Sequence, residues 1–154
     1  MSAALGLALV TLIAQVESAG RTRVLLLNDC PSGLEGFYAP SRNRIGLCRK
    51  NHNSDAALNS TLLHEAVHRL QHCRQPALTD QLDAANSIQA LEEEARELQR
   101  WGEQSPKTAA DWLRRQLKEQ CADQPREPGK ASLVDLPRIK VSGRPPLTLR
   151  TQEA

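Results

Sequence analysis

The sequence predicts an α+β fold that is mostly α, with a short β-hairpin or small sheet packed on an antiparallel pair of long helices plus a third helix. A chain of 154 residues is the size of one domain with a single modest core. Only four side chains are aromatic, Phe37, Tyr38, Trp101 and Trp112. The core must therefore come from Leu, Ala, Ile and Val, which suits packed helices better than a large sheet.

The first residues of the chain resemble a secretory signal peptide. Residues 2–15 carry no charge and consist mainly of Ala, Leu, Gly and Val, although no Lys or Arg precedes them. This run is too short to span a bilayer. We expect a signal peptide over residues 1–19, cleaved near Ser18 or Ala19, and no stable membrane span after processing. The alternative is an amphipathic or buried first helix.

The four cysteines agree with export. Their number is even and they show no Cys-x-x-Cys spacing, which favours disulfides over a zinc cluster. Three pairings are possible. Because Cys30 and Cys48 flank a predicted hairpin, and Cys73 and Cys121 end two predicted helices, we expect pairing in that order. The expected location is periplasmic or secreted, with a cytoplasmic protein containing four buried thiols as the alternative.

One strand and a hairpin are predicted before residue 50. Residues 24–27 form a short apolar run that ends at a turn-rich segment, as a buried strand does. Residues 36–39 and 44–48 alternate around the turn-forming residues 40–43, which predicts a hairpin. Tyr38 is expected to be a half-buried strand residue.

Three helices follow, because apolar residues recur at steps of three and four. They are predicted over residues 55 to about 73, 80 to about 101, and 106 to about 121, with N-caps at Asn53 or Ser54, at Thr79 and at Ser105. Residues 20–124 then form the domain. Residues 125–154 hold five of the nine prolines and are expected to be an extended or disordered tail.

Charge is divided along the chain. Residues 21–54 carry six Lys or Arg against two acids, residues 55–124 carry twelve acids against eight bases, and residues 125–154 carry six bases against three acids. A nucleic-acid-binding protein usually has one clustered basic face with aromatic or motif support. We therefore expect no nucleic-acid partner.

The motif with the clearest chemistry is His64-Glu65-Ala66-Val67-His68. Residues four apart share one face of a helix, so both imidazoles can bind one zinc ion while Glu65 lies beside a metal-bound water. A catalytic zinc site keeps one position for water and needs a third protein ligand.

Two other histidines are poor candidates for that ligand. His72 lies about 12 Å along the helix from His64, and no glycine in residues 69–71 provides the turn that would bring it back. It is expected to be a surface residue at the helix end. His52 lies in the loop before the motif and would need an unusual path to reach the site.

The chain resembles the gluzincin branch of the zincin metallopeptidases, in which a second helix supplies a glutamate ligand in a Glu-x-x-Ala context. Glu92, with Ala95 three residues later, matches that pattern. Arg96 departs from it, because many gluzincins have an Asp there that orients a zinc histidine. By periodicity alone Glu92 and Glu94 flank the apolar stripe equally while Glu93 points away, so Glu94 stays an alternative. The whole acidic run is otherwise a solvated helix face.

This resemblance spans roughly residues 36–98 and implies a minimal zincin-like fold, which is common among small bacterial and phage proteins. It implies a zinc peptidase with His64, His68 and Glu92 as ligands, Glu65 as general base, and a peptide or protein substrate. The hairpin is similar to the zincin element that pairs with an extended substrate. A non-catalytic, secreted binding or inhibitor protein on the same scaffold is the alternative function. The sequence does not indicate the oligomeric state.

Overall fold

The computed structural model describes residues 3–76, 85–124 and 149–150 of the chain. In order, the elements are α1 (Ala3–Gly20), β1 (Arg23–Leu27), β2 (Gly36–Ala39), β3 (Arg44–Cys48), a 3₁₀ turn (Arg49–Asn51), α2 (Asp55–Arg74), α3 (Ala85–Gln104), α4 (Pro106–Gln120) and β4 (Leu149–Arg150). Four helices and one small mixed sheet confirm the predicted class, α+β and mostly α.

The sheet has the strand order β1-β3-β2-β4. β2 and β3 form the predicted antiparallel hairpin, and β1 pairs with β3 in parallel. The hairpin turn is closed by hydrogen bonds from the Arg42 N–H to the Ala39 carbonyl and from the Asn43 N–H to the Pro40 carbonyl, each 3.2 Å long. Asn43 has a φ of 52°, a left-handed conformation that asparagine tolerates better than most residues. β4 pairs antiparallel with the other edge of β2.

Helix α2 is the centre of the molecule. Of the two predicted caps it is Ser54 that caps the helix, its hydroxyl accepting a hydrogen bond from the Ala57 N–H. Every residue from 61 to 71 is buried, because the sheet covers one side of α2 while α1, α3 and α4 pack around the others. A short motif on this helix is therefore surrounded by side chains from several elements.

Helix α1 belongs to the same core. Leu9, Leu12 and Val16 are buried, and Arg69 of α2 donates a 2.8 Å hydrogen bond to the Gly20 carbonyl at the end of α1. This is the buried first helix that the sequence left as an alternative. Cleavage of residues 1–19 as a signal peptide stays a prediction. None of the helices in the described ranges is both long enough and apolar enough to cross a membrane.

The later helices differ in detail from the prediction. α3 continues to Gln104, because the next break is set by Pro106, which disfavours a helical conformation at Ser105. Ser105 occupies the N-cap position of α4, but its side chain makes no capping hydrogen bond. The predicted cap at Thr79 and helix start at residue 80 lie outside the described residues. So does the predicted tail over residues 125–154, apart from the two residues of β4.

The disulfides join Cys30 to Cys48 and Cys73 to Cys121, in the predicted pairing. The first ties the segment after β1 to the end of β3, and the second ties the end of α2 to the end of α4. No cysteine is free. Stable disulfides of this kind are typical of proteins in oxidising compartments.

Loss of either disulfide is expected to destabilise the domain. In the chain-entropy model, a disulfide that closes an 18-residue loop raises the free energy of the unfolded chain by about 3 kcal/mol. One that closes a 48-residue loop raises it by about 4 kcal/mol. Chemical denaturation of Cys30→Ala/Cys48→Ala and Cys73→Ala/Cys121→Ala should therefore show the larger loss for the second pair. Equal stability of both variants and the wild type, measured without reductant, would contradict this expectation.

Candidate metal centre

Helices α2 and α3 lie antiparallel, as predicted, and side-chain contacts between them hold the site residues in place. Ser60 contacts Glu103, His64 contacts Gln99, and Gln71 contacts Glu94, so residue numbers rise along α2 as they fall along α3. Ala95 is completely buried, and its small side chain lets the two helix backbones approach.

Three predicted residues converge between these helices. The His64 Nε2 lies 3.0 Å from the Glu92 Oε1, and the His68 Nε2 lies 3.3 Å from the Glu92 Oε2. One ligand atom from each of the three residues can be chosen so that all lie within 4.8 Å of one another. Both histidines are at most 1% exposed, whereas the Glu92 side chain is 12% exposed. The carboxylate of Glu92 is thus the partly open side of the cluster.

A hydrogen-bond chain fixes the orientation of the His64 ring. The Ser60 hydroxyl donates to the Glu103 carboxylate and accepts from the Gln99 Nε2, which leaves the Gln99 Oε1 facing the His64 Nδ1 at 2.9 Å. Because an amide oxygen only accepts hydrogen bonds, the Nδ1 of His64 must carry the proton. The Nε2 lone pair then points at Glu92.

The His68 ring is held in the same way from within α2. The Gln71 Nε2 donates to the Leu91 carbonyl at 3.0 Å and to the Glu94 Oε1 at 2.8 Å, so the Gln71 Oε1 accepts from the His68 Nδ1 at 2.8 Å. Glu94 also forms an ion pair with Arg74. Burial by itself raises the pKa of Glu94, but the hydrogen bonds from Gln71 and Arg74 outweigh it and lower that pKa.

The three convergent groups fit a metal ion. With both Nδ1 atoms protonated, two imidazole lone pairs and a carboxylate face each other, and this contact is favourable only if a proton or a metal cation lies between them. The His68 Nε2 is buried and makes no hydrogen bond to any residue that the structure describes. Burial alone would raise the pKa of Glu92, but its interactions with His64 and His68 lower it to about 2. These interactions lower the pKa only when a proton lies between a histidine and the carboxylate, and a bound cation would take the place of that proton.

The donor set of two nitrogens and one oxygen is typical of zinc. Zinc bonds of about 2.0–2.1 Å at tetrahedral angles separate neighbouring ligand atoms by about 3.3 Å. The distances from the two histidines to Glu92 are already close to that value.

Glu65, the predicted general base, lies on the face of α2 that is turned toward β2. It is completely buried. A Cβ atom built on Gly36 would lie 3.5 Å from the Glu65 Cγ and only 2.8 Å from the Thr61 Cγ2. Glycine at position 36 therefore lets β2 pass close over the part of α2 that carries Thr61 and Glu65.

The other histidines do not join the cluster. The His52 ring contacts the Cys48 carbonyl and the Thr61 hydroxyl, at 2.8 and 2.7 Å. His72 lies near the end of α2, as expected, but is half-buried, and its Nδ1 lies 2.8 Å from the Tyr38 hydroxyl. Burial, reinforced by the charge of Arg69, lowers the pKa of His72.

Tyr38 is completely buried, although the sequence indicated a half-buried strand residue. Its hydroxyl accepts a hydrogen bond from the Arg69 Nη1 at 3.2 Å and donates to the neutral His72. Burial raises the pKa of Tyr38, although Arg69 opposes the rise. The side chain is buried because a cation and an imidazole of α2 satisfy its polar end, which strand periodicity does not reveal.

The three glutamates at residues 92–94 have different surroundings. Glu92 faces the histidines, Glu93 is exposed, and Glu94 supports Gln71 instead of meeting the imidazoles. Arg96, which stands where many gluzincins have an orienting Asp, is exposed. The two histidines are oriented instead by Gln71 and Gln99, which were not among the predicted site residues.

A spacing signal for these two glutamines does exist in the sequence. Gln71 follows His64 by seven residues on α2, and Gln99 follows Glu92 by seven residues on α3. Seven residues are about two helical turns, so each glutamine lies on the same helix face as the residue that it follows.

Removing either glutamine contact should weaken metal binding. We expect Gln71→Leu and Gln99→Leu each to lower the affinity for zinc by about 10–100-fold, because each frees a histidine ring from its partner. Competition with a zinc chelator measures this. Gln75→Leu, at the exposed end of α2, is the matched control and should bind zinc like the wild type. Equal affinity in all four proteins would show that the glutamines do not position the histidines.

Comparisons with known proteins give limited similarity. No family model matches the chain, and no solved structure matches it. The human protein named "Mitochondrial inner membrane protease ATP23 homolog" is 30% identical over 57 residues. These residues are 37% of this chain but 23% of that protein, so the chain spans about a quarter of the length of this curated relative. The chain is thus similar, over a short stretch, to a protease.

Proposed function

We propose that this protein is a zinc-dependent metallopeptidase. The observation that carries the proposal is the convergence of His64, His68 and Glu92, with both histidine rings held so that their Nε2 atoms face the Glu92 carboxylate. The short similarity to a named protease supports the same reaction class.

In this proposal His64, His68 and Glu92 hold the metal, and Gln99 and Gln71 keep the histidines in the binding tautomer. Zinc bound there supplies a Lewis acid that lowers the pKa of a water molecule and polarises a peptide carbonyl. Glu65 accepts the proton of the attacking water and later returns it to the leaving amine. Its burial under β2 keeps bulk water away from this proton transfer.

The proposed substrate is a peptide or protein segment, and we propose no nucleic-acid partner. We also propose that the protein works outside the cytoplasm, in the periplasm or secreted. The support is the pair of disulfides, which tie β3 and α2 to other parts of the chain and would be reduced in most cytosols.

Metal analysis tests the proposal. The purified protein, dialysed against zinc and then against buffer, should retain about one zinc ion per chain. A His64→Ala/His68→Ala variant should retain almost none. Treatment with a chelator should abolish hydrolysis of a denatured protein substrate, and added zinc should restore it. Less than a few tenths of a zinc ion per chain, with no activity gained on adding zinc, would favour a non-catalytic binding protein.

A further inference from the structure

The outer edge of β2 carries a second strand from the far end of the chain. β4 pairs antiparallel with β2, placing Arg150 opposite Phe37 and Leu149 opposite Tyr38. The pairing uses main-chain groups, so it requires an extended segment rather than a particular side chain. The structure thus shows that this edge accepts an extended chain running antiparallel to β2.

This edge lies beside the helix that carries the proposed catalytic residues. Gly36 of β2 lies over Glu65 and Thr61, and Tyr38 contacts Arg69 and His72 of the same helix. β4 itself contacts α2. A strand at the β4 position therefore occupies the margin of the site, next to the face of α2 that presents Glu65.

The site in this arrangement is closed to a peptide. His64, Glu65 and His68 are at most 1% exposed, so a substrate can reach them only after groups around α2 move. β4 pairs with β2 through only two residues, whereas the β2–β3 hairpin pairs through four. A strand this short at the edge of a sheet is weakly held, so its displacement costs little compared with unfolding the hairpin.

We propose that β4 is an internal competitor of the substrate, so that the C-terminal strand holds the peptidase in a closed state until an extended peptide replaces it on β2. The proposal rests on the proposed function for its catalytic consequence. The class of ligand that replaces β4 is an extended peptide that adds to the sheet edge by main-chain hydrogen bonds.

The test uses the full chain with Leu149→Pro and Arg150→Pro, which removes both N–H groups of β4 and disfavours strand pairing. A fluorescent peptide with the sequence of residues 144–154 is the probe, and its anisotropy reports binding to the edge of β2. The control is Ala131→Pro/Ser132→Pro, which adds two prolines to the same terminal region away from the paired residues. Thermal unfolding checks that each variant is folded.

The Leu149→Pro/Arg150→Pro variant should bind the peptide about tenfold more tightly than the wild type or the control. The tethered β4 competes at an effective concentration on the order of 1 mM and binds the edge of β2 with a dissociation constant on the order of 0.1 mM. The ratio of these two values gives the factor of about ten by which β4 weakens binding of the probe. The zinc-loaded variant should show a similar rise in kcat/KM for a peptide substrate, and the probe should inhibit it competitively. A higher KM in the wild type should account for most of the difference.

Equal binding of the probe by the folded variant and the wild type, or binding by neither, would overturn the proposal. An active variant with the kcat/KM of the wild type would overturn it as well. Complete lack of hydrolysis in every zinc-loaded protein would instead contradict the proposed function. The binding comparison still decides in that case whether β4 covers the edge of β2.

Discussion

Replacing Glu65 with glutamine should leave zinc bound and reduce hydrolysis by about 10²–10⁴-fold in kcat, the usual contribution of a general base. Glutamine has nearly the shape of glutamate, so it fits the fully buried position beneath Gly36 without a new clash. The amide cannot accept the proton of the attacking water, which is why the loss should appear in kcat rather than in KM. The three metal-facing residues are unchanged in this variant.

The measurement needs both zinc content and turnover on the same preparation. Glu65→Gln should retain about one zinc ion per chain, which separates loss of the base from loss of the metal. Glu97→Gln, a substitution of an exposed glutamate on α3, is the control and should keep the activity of the wild type. If Glu65→Gln cleaved substrates as fast as the wild type, Glu65 would not be the general base.

The parts of this protein that the sequence predicted are those set by local chemistry. The His64 to His68 spacing requires one helix face, and the Ser54 cap and the break at Pro106 act within a few residues. The hairpin follows from the turn chemistry of residues 40–43. Such signals lie within one element or its connection, so they can be read without knowing the tertiary structure.

The parts that the residue pattern alone left undecided depend on contacts between distant residues. Periodicity placed Glu92 and Glu94 equally far from the apolar stripe, and the choice between them depends on the rotation of α3 against α2. In the structure Gln71 of α2 holds Glu94, and both histidines face Glu92. Gln99 orients His64 from 35 residues away in sequence. The seven-residue spacing from Glu92 places Gln99 on one face of α3, but only the packing of α3 on α2 shows that it contacts His64.

Substituting each glutamate of residues 92–94 in turn should distinguish the proposed metal ligand, the residue that holds Gln71 and the exposed residue. Glu92→Gln is expected to weaken zinc binding by more than about 100-fold. Loss of a residue that only orients a ligand costs up to about that much, and this variant removes a charged ligand itself. Glu94→Gln should cost about tenfold, since the new amide oxygen can still accept from Gln71 while the negative charge is lost. Glu93→Gln should change nothing, because Glu93 is exposed.

Zinc affinity of the three variants, measured by chelator competition at one pH and one protein concentration, gives the order directly. The run of three glutamates supplies its own control, because the same chemical change is made at neighbouring positions of one helix. An order in which Glu94→Gln binds zinc more weakly than Glu92→Gln would move the third ligand to Glu94. It would also mean that α3 rotates on metal binding, since Glu94 is held by Gln71 and Arg74 in this structure. With Glu92 as the ligand, the two histidine nitrogens and the carboxylate that would hold zinc already converge, and α3 needs no rotation.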